Sequence, residues 1–182
     1  MDKPTLRKTY LEKRNTLSDT EYIKRNKALC SKLFNSIDFS IIKYLHLFLP
    51  ILKFNEVNTW LIIKHIKEHY PTINIVIPKV ENSILNHYLF ESKEQLTKSK
   101  WGIDEPSYGK IIEPKKIDLV LVPLIIADKQ GNRIGYGKGF YDRFLKECRP
   151  NCQKVGLSLL PLLDEIMCIE PTDIPLDHVI TA

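Results

Sequence analysis

The chain has 182 residues, a length typical of one domain that buries a substantial core. It is 43% hydrophobic and 27% charged, as in ordinary globular proteins. The start, Met1 to Arg14, is too charged for a secretory signal, and the longest apolar run, 119–127, is too short to cross a bilayer. We therefore expect a soluble cytoplasmic protein with one domain over residues 1–182.

The net charge indicates the kind of partner, and the cysteines indicate the compartment. The net charge of +5 favours an anionic partner: a nucleotide, another polyanionic small molecule or a nucleic acid. The four cysteines include no Cys-x-x-Cys pair, so we interpret them as free thiols of a reducing compartment. The histidines form no ligand pattern, and His65 and His69 are expected on a solvated helix face.

The predicted elements begin with two helices. Pro4 is tolerated in a first helical turn, and the charged segment 3–17 is predicted to be helical. Ser18 and Glu21 form a capping-box pattern, which predicts a second helix from there to about Asn35. The remaining pattern predicts, in order, a strand over 41–49, a helix over 56–69, strands over 73–77, 84–90 and 118–122, a helix over 139–148, and strands over 155–158 and 178–181.

Strands that alternate with helices indicate an α/β fold. We expect a layered sandwich in which helices flank a central, mostly parallel sheet, in a Rossmann-like arrangement. Ligands of such sheets bind beyond the carboxyl ends of the strands. The segment after strand 118–122 is therefore the first place to look for a site.

A glycine-rich loop follows that strand. Four of the seven glycines lie within nine residues, at Gly131, Gly135, Gly137 and Gly139. Glycine lets a backbone turn sharply and lie close to a ligand. Arg133 and Lys138 add positive charge, and Asp142 adds a carboxylate where the next helix is predicted to begin. The loop therefore predicts a phosphate-binding site with a metal ligand at its rim.

Two common phosphate motifs do not fit this loop. A dinucleotide fingerprint that starts at Gly135 would need a third small residue at position 140, which is Phe140. A Walker loop would need glycine where Asn132 stands and Ser or Thr where Gly139 stands. From the residues alone, a glycine-rich turn with solvated cations remains an alternative.

The string 131–142 resembles the signature of the 5-formyltetrahydrofolate cyclo-ligases, also called 5,10-methenyltetrahydrofolate synthetases. One segment departs from the family pattern: Leu124-Ile-Ile-Ala-Asp128 stands where the family usually has Gly-Leu-x-Phe-Asp. Further segments resemble the family in chain order: Lys3-Pro-Thr-Leu-Arg7, Asn55-Glu-Val-Asn-Thr59, Trp101-Gly-Ile-Asp-Glu-Pro106, Asp118-Leu-Val-Leu-Val-Pro123 and Asp173-Ile-Pro-Leu-Asp177.

The resemblance implies an enzyme that closes 5-formyltetrahydrofolate to 5,10-methenyltetrahydrofolate while ATP is cleaved to ADP and phosphate. The formyl oxygen would take the γ-phosphoryl group, and nitrogen 10 would displace phosphate from the resulting imidate phosphate. Such chemistry depends on positioned cations and Mg²⁺ rather than on a nucleophilic side chain. We expect folate, polyglutamylated or not, and ATP as partners of a monomer, without nucleic acid or membrane.

The resemblance also assigns residues. Arg133 and Lys138 are the expected catalytic cations, and Asp142 and Asp173 the expected Mg²⁺ ligands. ATP would contact Lys3, Arg7, Arg133, Ile134, Gly135, Tyr136, Gly137, Lys138, Gly139, Phe140 and Tyr141. Folate would contact Glu56, Trp101, Tyr136, Gly137, Lys138, Gly139 and Phe140.

Simpler interpretations stay open for several of these residues. Lys3 and Arg7 fit a solvated helix face, Glu56 and Asp142 fit first-turn helix acids, and Trp101 fits a core tryptophan. Asp173 fits an ordinary loop aspartate. Two other functions also remain, a non-catalytic folate or nucleotide sensor and a nucleic-acid-binding module, although no nucleic-acid motif is present.

Overall fold

The computed structural model describes residues 1–99 and 102–182, so Trp101 lies outside the described part. The helices predicted at the start and after the glycine loop are confirmed. Ser18 caps the second helix, because its hydroxyl accepts from the Glu21 backbone N–H at 3.2 Å. The described α-helices are α1 (Lys3–Asn15), α2 (Asp19–Ser36), α3 (Trp60–His69) and α4 (Phe140–Glu147).

The strands form one large sheet and two small hairpins. In chain order the described strands are β1 (Tyr44–Leu47), β2 (Asn74–Glu81), β3 (Ile84–Leu89), β4 (Leu96–Lys98), β5 (Asp104–Pro106), β6 (Leu119–Val122), β7 (Ile126–Ala127), β8 (Arg133–Ile134), β9 (Gln153–Ser158) and β10 (His178–Thr181). Strand β4 pairs with β5 in one hairpin, and β7 pairs with β8 in the other.

The large sheet has the order β10-β9-β6-β1-β2-β3. Its strands are parallel except for the edge strand β3, which pairs antiparallel with β2. The predicted α/β architecture with a mostly parallel sheet is therefore confirmed. The chain proceeds from β1 to β2 on one side, and β6 then pairs with the other side of β1. This reversal is a topological switch point, where such folds bind ligands.

The sheet is buried on both faces, as alternation along β6 illustrates. Leu119 and Leu121 pack in a cluster with residues of α2 and α3. Val120 and Val122 point the other way and pack with Phe144 of α4. The side chains of a strand point alternately to the two faces of its sheet. A strand that is apolar at every position therefore needs a packed layer on each face. The result is a helix–sheet–helix sandwich.

The predicted helix over 56–69 begins four residues late, so the assignment of Glu56 to a first turn is wrong. Asn55 adopts a left-handed conformation with φ 46°, which interrupts helical geometry. The next residues are bound to α2 instead: the Asn58 backbone N–H donates to Asn26 Oδ1 at 2.7 Å, and the Tyr22 hydroxyl donates to the Glu56 carbonyl at 2.7 Å. These tertiary contacts replace the first helical turn.

Two strand boundaries also differ. The segment predicted as strand 41–49 pairs only over 44–47, and Ile41 is 64% exposed in a short 3-10 turn. The strand predicted to stop at Pro78 continues through it to residue 81. Beyond Val76, β2 pairs with β3 alone, so a residue without an N–H donor is tolerated there.

The hairpin of β7 and β8 was not predicted, and it positions the glycine loop. It follows β6 and its second strand belongs to the loop, and α1 packs on it, with Leu6 against Ile126 and Ile134. The N-terminal turn of α1 therefore lies beside the loop. Among the described residues, no helix is both long and apolar enough to span a membrane.

Candidate functional site

A cleft of about 770 Å³ lies at the carboxyl edge of the sheet. Ile51, which follows β1, and Pro123, which follows β6, line it, so the cleft lies at the switch point. Its other walls are the start of α1, the glycine loop with α4, and the segment around 170–173. This is the edge where the sequence predicts a ligand.

The cleft brings together the loop residues, cations and carboxylates predicted from the sequence. Glu56 does not line it and lies beneath its surface. The lining residues among the predicted ones are Lys3, Arg7, Arg133, Ile134, Gly135, Tyr136, Gly137, Lys138, Gly139, Phe140, Tyr141, Asp142 and Asp173.

The glycine loop needs glycine at three of its positions. Gly131, Gly137 and Gly139 have φ values of 86°, 86° and 64°, which residues other than glycine rarely adopt. A Cβ atom on Gly137 would also lie 2.9 Å from Nη2 of Arg7. Arg7 approaches this closely because its Nε donates to the Gly135 carbonyl at 2.8 Å. Helix α1 thus supports the loop through the Arg7 guanidinium.

Lys3 connects the start of α1 to the opposite wall of the cleft. Its Nζ atom lies 2.7 Å from Asp173 Oδ2 and 3.1 Å from Glu170 Oε1. Partial burial acts to lower the pKa of Lys3, but the two carboxylates prevail and raise it. Partial burial acts to raise the pKa of Asp173, but hydrogen bonds from Lys3 and from the Glu170 N–H lower it. Both groups are therefore charged at neutral pH.

Arg133 and Asp142 form a second ion pair. Nη2 of Arg133 donates to Asp142 Oδ1 at 2.7 Å, and Nη1 donates to the Ile174 carbonyl. The Ile174 N–H donates to the same carboxylate oxygen at 3.1 Å. The Arg133 side chain is only 6% exposed. The pair thus fixes the loop, α4 and the segment that carries Asp173 against one another.

Each of the two carboxylates uses a single oxygen in these contacts, Oδ1 for Asp142 and Oδ2 for Asp173. Among the described residues, no hydrogen bond reaches the second oxygen of either. Magnesium prefers one or two carboxylates together with phosphate oxygens and water. Two carboxylates at a cation-lined cleft therefore fit the predicted Mg²⁺ and its nucleotide.

Lys138 and Arg143 are exposed at the mouth of the cleft. Nη1 of Arg143 donates to the Lys138 carbonyl at 3.2 Å, and its guanidinium lies 5.1 Å from the centre of the Phe140 ring. This contact gives the loop backbone a second supporting cation besides Arg7. Arg143 was not predicted as a site residue, although its position directly after Asp142 in a helix start was visible in the sequence.

Glu56 is buried, with 3% of its surface exposed, and is held by two donors. Its Oε2 accepts from the Ile51 N–H at 2.8 Å, and its Oε1 accepts from the Tyr136 hydroxyl at 3.0 Å. Burial raises the pKa of Glu56, against the opposing effects of these donors and of Arg14. Burial and the Glu56 carboxylate together raise the pKa of Tyr136. Tyr136 lines the cleft and thereby connects it to Glu56.

Arg14, a second residue that the sequence analysis missed, donates to the Tyr136 hydroxyl at 2.7 Å. One signal pointed to it: Lys3, Arg7 and Arg14 are spaced by four and seven residues, which places them along one face of α1. The surrounding lysines of the same helix concealed this pattern.

Tyr141 forms a partly buried wall of the site. It lines the cleft, while its ring packs toward the sheet, 5.9 Å from His46 and 6.0 Å from Phe144 between ring centres. Its hydroxyl is buried without a hydrogen-bond partner among the described residues. Burial raises the pKa of Tyr141. The hydroxyl is thus a neutral donor beside the cleft.

The segment 124–128, which departs from the family pattern, is buried next to the cleft. The Leu124 side chain is buried in the core beneath α4, and Pro123 lines the cleft at this point. A Cβ atom on Gly156 of β9 would lie 2.7 Å from Leu124 Cδ2. The missing side chain at 156 therefore provides the space for leucine at 124.

A glycine-rich, cation-lined cleft at the switch point of a parallel sheet is typical of α/β proteins that bind phosphorylated ligands. Comparison with known proteins identifies the family within this class. A family model described as the 5-formyltetrahydrofolate cyclo-ligase family matches residues 1–182. The chain therefore belongs to this family of ligases, and it is an enzyme.

Known structures and relatives agree with this assignment. The 5,10-methenyltetrahydrofolate synthetase of Mycoplasma pneumoniae has a TM-score of 0.80 and 29% identity, with 99% of this chain and 98% of that chain covered. That of Aquifex aeolicus has a TM-score of 0.82 and 31% identity, with 100% and 90% covered. A probable 5-formyltetrahydrofolate cyclo-ligase of Schizosaccharomyces pombe is 37% identical over 100 residues, which are 47% of this chain and 49% of that one.

Proposed function

We propose that the protein catalyses the ATP- and Mg²⁺-dependent cyclisation of 5-formyltetrahydrofolate to 5,10-methenyltetrahydrofolate, with release of ADP and phosphate. One observation carries the proposal. A single cleft combines the glycine loop, four predicted phosphate-binding cations and two carboxylates, and Tyr136 connects it to the buried carboxylate of Glu56. Family membership supports the same reaction.

The nucleotide phosphates bind at the glycine loop in this proposal. Loop amides and the amino end of α4 supply donors, and the helix dipole favours the negative charge. Lys138 is exposed at the mouth and is the cation that we expect to contact the γ-phosphate. Lys3, Arg7 and Arg133 neutralise further oxygens, and phosphate competes with Asp173 and Asp142 for Lys3 and Arg133.

Asp142 and Asp173 would hold Mg²⁺ through their second oxygens. The ion would neutralise phosphate charge in the transferring group, as divalent ions do in phosphoryl transfer. Every other contribution comes from the side chains and backbone of the chain itself. Arg133 has a double role, since it holds Asp142 in place and contributes positive charge near the phosphates.

The folate binds with its pterin ring next to Glu56 and Tyr136. An ionised Glu56 accepts hydrogen bonds from the amino and ring nitrogens of the pterin, and Phe140 provides a flat apolar contact. This orientation directs the formyl oxygen toward the γ-phosphorus. Trp101, which the resemblance also assigns to folate, lies outside the described residues.

The chemistry then needs two displacements. The formyl oxygen attacks the γ-phosphorus and ADP departs, which converts a poor leaving group into a phosphate ester. Nitrogen 10 attacks the formyl carbon, the carbon–oxygen bond breaks, and phosphate leaves while nitrogen 10 loses its proton. Lys138 and Arg133 stabilise the charge on the phosphoryl oxygens through both steps.

The remaining parts of the proposal concern the whole protein. We infer one domain over residues 1–182 that acts as a monomer in the cytoplasm. The free cysteines agree with a reducing compartment. The net charge of +5 suits anionic substrates, including a polyglutamylated folate, and no nucleic acid is required as a partner.

One assay tests the proposal. The protein is mixed with 5-formyltetrahydrofolate, and the methenyl chromophore is followed with ATP and Mg²⁺, without ATP, and with excess chelator. We expect product only in the complete mixture. Absence of nucleotide-dependent product with intact folate binding would instead indicate a sensor. Salt-sensitive binding to arbitrary oligonucleotides would indicate a nucleic-acid-binding module.

A further inference from the structure

We propose that Arg14 is a positioning residue of the folate site, which holds the Tyr136 hydroxyl toward Glu56 and keeps the Glu56 carboxylate in its binding form. The proposal rests on the proposed function, because Glu56 is taken as the pterin acceptor. The interaction among Arg14, Tyr136 and Glu56 on which it depends can be measured without any substrate.

Arg14 is buried, with 2% of its surface exposed, and no carboxylate of the described residues pairs with it directly. Its Nε donates to the Phe54 carbonyl at 2.9 Å and its Nη1 to the Leu124 carbonyl at 3.0 Å. These carbonyls follow β1 and β6, the two strands that flank the switch point. The guanidinium therefore connects α1 to both sides of the crevice.

The third contact of Arg14 fixes the direction of the hydrogen bond between Tyr136 and Glu56. A guanidinium has donors and no acceptor, so the Tyr136 hydroxyl must accept from Nη2 at 2.7 Å. The single proton of that hydroxyl is then directed to Glu56 Oε1, 3.0 Å away. An ionised carboxylate only accepts, so this arrangement favours Glu56 as the anion. The three groups form a chain from cation through hydroxyl to carboxylate.

The other groups near Glu56 do not supply a positive charge. The described titratable side chains that interact with it, besides Arg14 and Tyr136, are Tyr22 of α2 and Tyr141 of α4. The Ile51 N–H is the remaining donor. Burial raises the pKa of Glu56, and Arg14 is the charged group that opposes this effect. Loss of Arg14 should therefore favour protonated Glu56 and weaken pterin binding.

Four variants separate positioning from a merely structural role. Arg14→Gln removes the charge, and Arg14→Lys restores charge without the planar set of donors. Tyr136→Phe cuts the link to Glu56 but leaves the Arg14 bonds to Phe54 and Leu124 unchanged. Lys13→Gln removes an exposed charge from the same turn of α1 and is the matched control.

The first measurement is the carboxyl titration of Glu56 in the full chain, followed by NMR with carbon-13 at glutamate side-chain carboxyls and assigned with Glu56→Gln. We expect a pKa raised by about one unit in Arg14→Gln, which corresponds to an energy change typical of one lost charge interaction. Tyr136→Phe should raise it as well. Arg14→Lys should lie close to the wild type, and Lys13→Gln should match it.

The second measurement is the affinity for 5-formyltetrahydrofolate without nucleotide at pH 6 and pH 8. Arg14→Gln should bind about tenfold more weakly than wild type at pH 6 and recover part of this loss at pH 8. Affinity for ATP with Mg²⁺ should stay within about twofold of wild type.

The proposal is overturned if Glu56 titrates identically in wild type, Arg14→Gln and Tyr136→Phe. It is also overturned if Arg14→Gln weakens folate and ATP equally at both pH values, since that result describes a structural brace. If Arg14→Gln does not fold, Tyr136→Phe decides. If the wild type binds no folate, the proposed function fails, and the carboxyl titration still decides the link between the three residues.

Discussion

At the scale of single residues, the cleft depends on how closely charged groups approach the backbone of the glycine loop. Arg7 donates to the Gly135 carbonyl, and Arg143 donates to the Lys138 carbonyl. Both contacts leave the loop N–H groups available to an anion. The positions of the loop glycines therefore differ in what they tolerate, and this difference can be tested.

Gly137→Ala should destabilise the protein, while Gly135→Ala should not. At 137, alanine must adopt φ 86° and its Cβ would lie 2.9 Å from Arg7, so we expect a loss of about 1–2 kcal/mol in the free energy of unfolding. At 135, φ is not positive and a Cβ would meet nothing within 4 Å. Urea unfolding measures both, and equal stabilities of the two variants would contradict the described loop.

Lys138→Ala should reduce turnover strongly without unfolding the protein. Its side chain is exposed at the mouth of the cleft, and its expected partner is the transferring phosphoryl group. Loss of one such cation typically costs a factor of about 10²–10³ in kcat. Lys24→Ala, at an exposed position of α2, is the control with the same charge change. Equal activity of both variants would exclude Lys138 from catalysis.

At the scale of elements, two buried histidines of the sheet form a layer against α4. His46 of β1 and His87 of β3 are buried, with ring centres 5.1 Å apart, and both contact Phe144. Neither nitrogen of His46 has a hydrogen-bond partner among the described residues. Burial lowers the pKa of His87 to about 4, and burial together with His87 lowers that of His46.

This layer predicts acid lability. Because the folded pKa of His87 is about 4 and the unfolded value about 6.5, the unfolded chain binds more protons in between. The contribution of His87 to the free energy of unfolding should therefore be fully present above pH 6.5. Below that pH, the free energy of unfolding should fall by about 1.4 kcal/mol per pH unit toward pH 4 for this group alone.

His87→Leu should flatten this pH dependence, and His178→Gln, at an exposed position of β10, should leave it unchanged. Urea unfolding at several pH values measures the slopes. Parallel curves for wild type and His87→Leu would show that the buried imidazole does not contribute.

Features whose signal lies within one element could be predicted from the sequence, and features that depend on contacts between distant segments could not. Signals that lie within one element, such as the Ser18 cap or the apolar run of β6, predicted the structure correctly. The start of α3 was missed because Asn26 and Tyr22, more than thirty residues away in the chain, bind the backbone before it. The spacing along α1 did not reveal the partners of Arg14, since its contacts with Phe54, Leu124 and Tyr136 form only when distant segments meet.

At the scale of the whole molecule, the cleft is assembled from both ends of the chain. Lys3 of α1 pairs with Asp173, and Arg133 pairs with Asp142 and contacts Ile174. The sheet contributes its switch point between β1 and β6. A ligand that binds all these parts should stabilise the folded chain as a unit.

Thermal unfolding should therefore respond to nucleotide and metal together. At one hundred times the dissociation constant, a ligand stabilises by about 2.7 kcal/mol, which corresponds to a rise of about 5–10 °C in Tm for a chain of this size. We expect this rise with ATP and Mg²⁺, and a smaller one with ATP and chelator. An equal rise in both conditions would argue against Asp142 and Asp173 as metal ligands.

The most direct test is a crystal structure with a non-hydrolysable ATP analogue, Mg²⁺ and 5-formyltetrahydrofolate. We expect the γ-phosphate within hydrogen-bond distance of the backbone between Gly135 and Gly139, and the pterin against Glu56 and Tyr136. A nucleotide bound outside this cleft, with the loop contacting no phosphate, would contradict the account.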